Sequence, residues 1–557
     1  MVKMLRGGGL WPLVAACVAA VSLGCGGSKK TTTTGTTQGQ SSTTVSGSVY
    51  VAGSVSYAAG VLAGGTAISA ASVKVNGTKL GETNEQGYFS VTGVPAGDRV
   101  SVCIEAANHV TGCRNVRVVA GRGLLLGPTE LRAFADIPNF AEASITGAGT
   151  VSDASGNARA DLPTGTICRA DRTTVVTTAF TCAIAPLDPA VAGQARYAPG
   201  SFEGRTSGGQ QVSLVSGGMM DIVCTLDATG EKVNVCTGKT ASVRIPINTS
   251  CSDTARYPAT MQSWGFDEAT GLWVEEASFT KTCDGGGVTG YYAGTASHFS
   301  YWNADQVANT ACVTGTILGG DAVPVSGARI YCEGSDYSGA SEAYTGDDGK
   351  YCVQLKTGGT ASCVATKGSF QAAAFSVTAG ATAMACGNAA CQAVANVTLS
   401  DPLIRSALTW GATPSDLDSH WVSAGGGAPE THVYFSSRGS LAAAPYAALD
   451  TDDTSSFGPE VVTVMPSVPA GVYRYCIHDY SNGGSTTSTV LQGSTAKVEL
   501  VLRGGARAYQ VPQGAGTVWQ VFELTIDANR NVTVRDLNRV VATAGAATDA
   551  LTLCRAN

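Results

Sequence analysis

Along almost the whole chain, apolar and polar residues alternate over short stretches, and each stretch ends in a cluster of Gly, Asn, Asp, Ser or Thr. A period of two is the pattern of strands with one buried face. It is plain in "SAASVKVNG" (69–77), "TNEQGYFSVTGVPAG" (83–97), "VSGARIYCEG" (325–334) and "TGDDGKYCVQL" (345–355). Asn84 to Gly87 and Asp347 to Gly349 read as tight turns between antiparallel strands, with Gly87 and Gly349 free to take positive φ. In "MQSWGFDEATGLWVEEASF" (261–279) Trp264 and Phe266 alternate before a turn at Asp267 to Gly271, and Trp273 restarts the pattern. A hairpin with aromatic cross-strand contacts is predicted there.

Composition agrees with this. The 557 residues include 70 glycines, and only 14% are charged, which disfavours long helices. So long a chain exceeds one core, and an all-β fold of several tandem β-sandwich domains is expected. A formal net charge of −7 with no basic run excludes nucleic acid as the expected partner.

The N-terminus departs from the pattern. "MVKMLRGGGLWPLVAACVAAVSLGC" sets Lys3 and Arg6 before an apolar run too short to span a bilayer comfortably, which is the form of a secretory signal. Val21, Ser22, Leu23, Gly24 and Cys25 resemble the lipobox of bacterial lipoproteins, although Ser22 replaces the family's usual leucine, and Cys17 offers an earlier candidate. The resemblance implies cleavage after residue 24, lipidation of Cys25 and anchorage in a membrane. With Gly26 rather than Asp next, it implies an outer-membrane lipoprotein facing the periplasm or the cell surface. A Gly, Ser and Thr tract over 25–44 is too poor in apolar groups to order itself and reads as a flexible tether.

Of the eighteen cysteines, Cys17 and Cys25 belong to the export segment, leaving sixteen. Cutting the remainder at composition breaks gives pieces 45–137, 138–309, 310–402 and 403–557, and each holds an even number. Pairing can then close inside every piece, as Cys103 with Cys113 in the first and Cys476 with Cys554 in the last. The two middle pieces hold six each, and no connectivity is assigned there. Neither a CxxC pair nor zinc-finger spacing occurs, so structural disulfides of an oxidising compartment are expected.

Pieces 45–137 and 310–402 run in parallel, "VSGSVY" with "VTGTIL" and "RVSVCIEAANH" with "ASCVATKG", and both resemble the carboxypeptidase regulatory-like family. That implies transthyretin-like β-sandwiches serving as spacer or binding modules. Piece 138–309, with "GGMMDIV", "GKTASVRIPINTS" and the aromatic hairpin, resembles cartilage intermediate layer proteins and, more distantly, ZU-type β-domains. Some of the latter cut themselves inside a His-Phe-Ser motif, which His298, Phe299 and Ser300 reproduce. That chemistry needs the Ser300 hydroxyl to attack the Phe299 carbonyl while His298 takes its proton. In a regular strand His298 and Ser300 lie about 6.6 Å apart, so a kink is required. The plain alternative is a core strand through "SHFSYW".

The last piece carries "LTWGATPSDLDSHW", "LDTDDTSSFGPEVVTV", "PAGVYRYCIHDYS" and "WQVFELTID", which resemble YfaP-type exported bacterial β-domains, with Ser419 and Trp421 at positions usually aliphatic. Asp416 and Asp418 alternate on a predicted strand, where neighbouring carboxylates repel unless neutralised. Asp450, Asp452, Asp453 and Glu460 add hard oxygens in a loop, so calcium is the expected cofactor. His420 would instead recruit zinc or manganese, while the loop aspartates alternatively cap their own backbone. His432 and His478 read as ordinary strand residues. No nucleophile elbow, zinc-protease helix, phosphate loop or dinucleotide fingerprint occurs. The expectation is a non-enzymatic envelope lipoprotein that binds a polysaccharide or envelope protein or serves a structural role. A self-processing surface protein cut between Phe299 and Ser300 and a secreted hydrolase are the alternatives.

Overall fold

Thr44–Val51 and Thr310–Leu318 occupy the same place in two copies of one arrangement. Each pairs antiparallel with the strand that follows its Gly turn, Tyr88–Thr92 in one and Lys350–Lys356 in the other. Each also pairs parallel with two short strands further on, Gly123–Leu125 and Thr129–Leu131, then Gln392–Ala393 and Val397–Thr398. The turns match in detail. Gly87 and Gly349 both have φ of 70°, and their carbonyls accept 2.8 Å bonds from Val49 and Ile317. A Cβ at either would lie 2.4 or 2.6 Å from those same residues' oxygens, so only glycine fits. Thr83 and Thr345 repeat as well, each hydroxyl bridging the backbone of an adjoining loop.

These residues belong to a computed structural model that describes 40–557 apart from Ser42, Ala59, Gly504 and 544–548. The expected signal segment, Cys25 and most of the tether lie outside the described residues. Strands dominate: among the described residues the only α-helices are Val490–Gly493 and Ala550–Arg555, and no helix is long and apolar enough to cross a membrane.

The first copy closes a core of Val45, Val49, Val73, Phe89, Val102 and Val116 between two four-stranded sheets, and the second closes one around Val313, Ile330, Val353 and Leu355 between a four-stranded and a seven-stranded sheet. Between them in sequence, thirteen strands hydrogen-bond into one sheet that buries Trp264, Trp273 and Trp302 completely. The hairpin expected from Trp264 to Trp273 is present as Thr260–Asp267 and Leu272–Cys283, with the Phe266 and Trp273 rings 5.3 Å apart edge to face. From residue 403, strands of a seven-stranded and a five-stranded sheet enclose Leu408, Trp421, Tyr473, Tyr475, Trp519 and Phe522.

Some strands leave the piece of sequence they start in. The hairpin Ser56–Ala58 and Val61–Gly64 extends the second copy's sheet through Val61 and Phe370, and Gln40–Ser41 pairs with Gly505–Gln510 near the C-terminus. Among the described residues eight disulfides form, including Cys103 to Cys113 and Cys476 to Cys554, and every one closes within one of the four cysteine sets.

Candidate functional site

Residues 297–300 are a bend, not the core strand of the plain alternative. Strand Gly290–Ala296 ends before it and Tyr301–Ala308 starts after it. The bend is tied down residue by residue. Arg172 Nη2 donates to the Ser297 carbonyl at 2.7 Å and Trp302 Nε1 to the His298 carbonyl at 2.9 Å, while Ile222 N donates to the Ser300 carbonyl at 3.3 Å. None of the four takes a left-handed backbone, so hydrogen bonds hold this shape.

The kink brings together what a strand would separate. Ser300 Oγ lies 3.2 Å from His298 Nδ1, and His298 Nε2 lies 2.6 Å from Glu276 Oε1. Glu276 sits on Leu272–Cys283, the second strand of the aromatic hairpin. Burial opposes ionisation of Glu276, but the His298 and Ser297 hydrogen bonds and the Arg172 charge outweigh it and hold the carboxyl below its usual range. An ionised Glu276 accepts from Nε2–H, which leaves the Nδ1 lone pair facing the Ser300 hydroxyl.

Asn234 completes the arrangement from strand Lys232–Val235. Its Oδ1 accepts from Phe299 N at 2.6 Å and its Nδ2 donates to Phe299 O at 3.2 Å. One carboxamide thus clamps both sides of Phe299 and places a donor on the carbonyl that Ser300 would attack. A hydroxyl, an imidazole, a carboxylate and a carbonyl donor, the groups an acyl shift needs, thus surround one peptide bond.

Beside the bend lies a cavity of about 230 Å³ lined by Asn234, Phe299, Ser300 and Asp221. Asp221 is buried opposite Tyr301, and its Oδ2 has no hydrogen-bond partner. Burial, reinforced by Glu268 and Glu105 against Lys232, pushes it up to about 7. Between the ordinary carboxylate range and that value the folded chain holds a proton that the unfolded chain has released, so stability falls as pH rises through this window. In denaturant titrations of uncut protein, Asp221→Asn should remove about 3 kcal/mol of the loss between about pH 5 and about pH 8. An unchanged loss would show that other groups carry it.

A second cluster lies in the C-terminal region. Asp418, Asp452 and Glu460 offer oxygens within 4.8 Å of one another, and Asp418 does the same with His420 and His478. Asp416 precedes strand Leu417–Gly425 rather than alternating within it, yet it feels the cluster: burial and then Asp418, Asp452 and Asp453 raise it to about 6. Glu460, wholly buried, is pushed well above its usual range by burial although Ser419 donates to it. Asp453 Oδ1 accepts from Ser455 N at 2.7 Å in the backbone cap foreseen as the alternative. Asp450 does not join, because its carboxylate bonds Thr463 across the sheet. His478 and His432 are not ordinary strand residues: one faces Asp418 in the register of Gly471–Asp479, and the other bonds His420. Strand pairing over many residues reveals this, and no local motif does.

No family model matches this chain, and no curated protein matches it. Among solved structures, a homologue of a telluride resistance protein from Streptomyces coelicolor is 16% identical over 26% of this chain and 92% of its own, with a TM-score of 0.20. A protein of an uncharacterised family from Parabacteroides merdae is 12% identical over 36% of this chain and 96% of its own, at 0.14. The major pilin subunit of Bacillus cereus is 10% identical over 64% of this chain and 99% of its own, at 0.13. Scores this low carry no argument about this chain.

Proposed function

We propose that this chain is an exported structural module of the bacterial envelope that cuts itself once, between Phe299 and Ser300. Glu276, His298, Ser300 and Asn234 converge on that bond, and this convergence is the single observation that supports the cut. His298 Nδ1 takes the hydroxyl proton as Ser300 Oγ adds to the Phe299 carbonyl carbon, and Asn234 Nδ2 donates to the oxygen as it becomes negative. Breaking the C–N bond sends the proton to the Ser300 nitrogen and leaves an ester. Water then hydrolyses the ester, yielding a Phe299 carboxylate and a free Ser300 amine. Eight disulfides fit an oxidising compartment outside the cytoplasm, and the lipobox-like Cys25 supplies the membrane tether of this reading.

The two products stay together. Tyr301–Ala308 begins at the cut and pairs with Gln211–Leu226 and Thr260–Asp267 of the N-terminal product, burying Trp302. Four disulfides lie wholly before the cut and four wholly after it, so none joins the products. Intact mass under denaturing, non-reducing conditions is therefore decisive for the full chain exported to a periplasm. Two masses meeting at Phe299 and Ser300, collapsing to one in Ser300→Ala, are expected. A single uncut mass from the parent chain would overturn the reading.

A further inference from the structure

Asp418 and His420 stand two residues apart on strand Leu417–Gly425 and so share a face, and His478 pairs directly opposite Asp418. Three donors from two paired strands thereby meet at one point. The His478 Nδ1 to Asp418 Oδ2 separation is 3.7 Å, too long for a hydrogen bond and close to that of two ligands on one ion.

Apart from that long contact, the donor atoms facing this point have no hydrogen-bond donor from outside the cluster. His420 Nε2 and Asp418 Oδ2 are buried and make no hydrogen bond, while Glu460 Oε1 and Asp452 Oδ1 have no donor and their two carboxyls contact each other, in residues of which His420 is 3%, Asp418 2% and Glu460 0% exposed. Buried polar atoms are normally paired, and the unpaired His420 Nε2 and Asp418 Oδ2, with His478 Nδ1 beside them, leave room for one shared partner that accepts lone pairs.

The other atoms of the same side chains are held from outside. His420 Nδ1 lies 2.8 Å from His432 Nε2, and the His432 ring stacks on Tyr434 with centroids 4.0 Å apart. If His420 donates there, its Nε2 lone pair points to the cluster, the usual arrangement of a ligating histidine with an outer acceptor. Ser419 N holds Glu460 Oε2, and Arg438 holds Asp452 Oδ2.

We propose that Asp418, His420 and His478 hold one divalent transition-metal ion of the zinc or manganese class, beside the adjoining triad that Asp418 forms with Asp452 and Glu460. The two imidazoles decide the class: calcium takes oxygen ligands, whereas mixed nitrogen and carboxylate sets suit zinc and manganese. The ion would also neutralise carboxylates whose only cationic side-chain contact in this cluster, apart from the histidines, is Arg438 at its rim.

The test strips the full chain with chelator and adds zinc, manganese or calcium chloride separately, with bound metal counted by elemental analysis and affinity measured by calorimetry. About one equivalent of zinc or manganese should bind, and His420→Gln and His478→Gln should each weaken it at least about tenfold. His432→Gln should weaken it by roughly ten- to a hundredfold through its hold on His420. Calcium bound equally well by parent and histidine variants, or no stoichiometric binding of any of the three, would overturn the proposal. A readout independent of any variant is the visible spectrum of the parent chain with cobalt(II) chloride. Nitrogen-ligated d–d bands are expected, and a spectrum identical to aqueous cobalt would sink the site.

Discussion

Replacing Asn234 with alanine should leave the fold intact and slow appearance of the two products by about two to three orders of magnitude, the usual cost of losing one oxyanion donor. The effect is large because, among the described residues, Asn234 Nδ2 is the one side-chain donor on the Phe299 oxygen, at 3.2 Å, and that oxygen would gain its charge as Ser300 Oγ adds. Asn234→Asp separates two roles. It keeps an acceptor for the Phe299 N–H, bonded at 2.6 Å in the parent, but removes the donor, so it should be as slow as alanine. Pulse labelling during export, followed by denaturing electrophoresis, gives the rate. Cutting at the parent rate in both variants would mean that the carboxamide only shapes the bend.

Loss of the Cys168 to Cys236 bridge, by serine at both positions, should have the second large effect. That bridge closes 68 residues, and the entropy of an unfolded chain freed of such a loop corresponds to about 4 kcal/mol. Cys103 to Cys113 spans only 10 residues and should matter less, at about 3 kcal/mol. The longer bridge also bears on the chemistry. Ile167–Cys168 pairs with Val235 and Asn234, so its removal loosens the strand that aims Asn234. Denaturant midpoints should fall and the cut fraction should fall with them. A fall in stability without any change in cutting would show that the sheet alone positions Asn234.

Much of this was legible in the sequence, for physical reasons. Alternation has a period of two, so the all-β class and the Trp264 to Trp273 hairpin follow from neighbours along the chain. Gly87 and Gly349 could be read because positive φ leaves a local mark in residue type. His298 and Ser300 stood out as chemistry, but local alternation put them on a flat strand. The bend is imposed by Arg172, Asn234 and Trp302 acting on successive peptides, and Glu276 reaches His298 from 22 residues away. Register over such separations leaves no trace in a short motif. Asp450 shows the same limit from the other side: it looks like its neighbour Asp452, yet its side chain goes to Thr463. His478 and His432, unremarkable alone, gain their meaning from strands that pair with Leu417–Gly425.

With four bridges on each side of the proposed cut, that cut would turn residues 301–308 into a mechanical element. Before scission, tension along the chain crosses that point through a covalent bond that thermal forces never break. Afterwards the load passes through the antiparallel ladders that hold Tyr301–Ala308, through the buried indole of Trp302 and through the strands exchanged elsewhere. Pulled parallel to the strand, those bonds are sheared together and resist as a group. Pulled from the free Ser300 end, they open one after another at far lower force. The proposed cut would therefore give the molecule a direction-dependent yield point, with each released half still closed by its own disulfides.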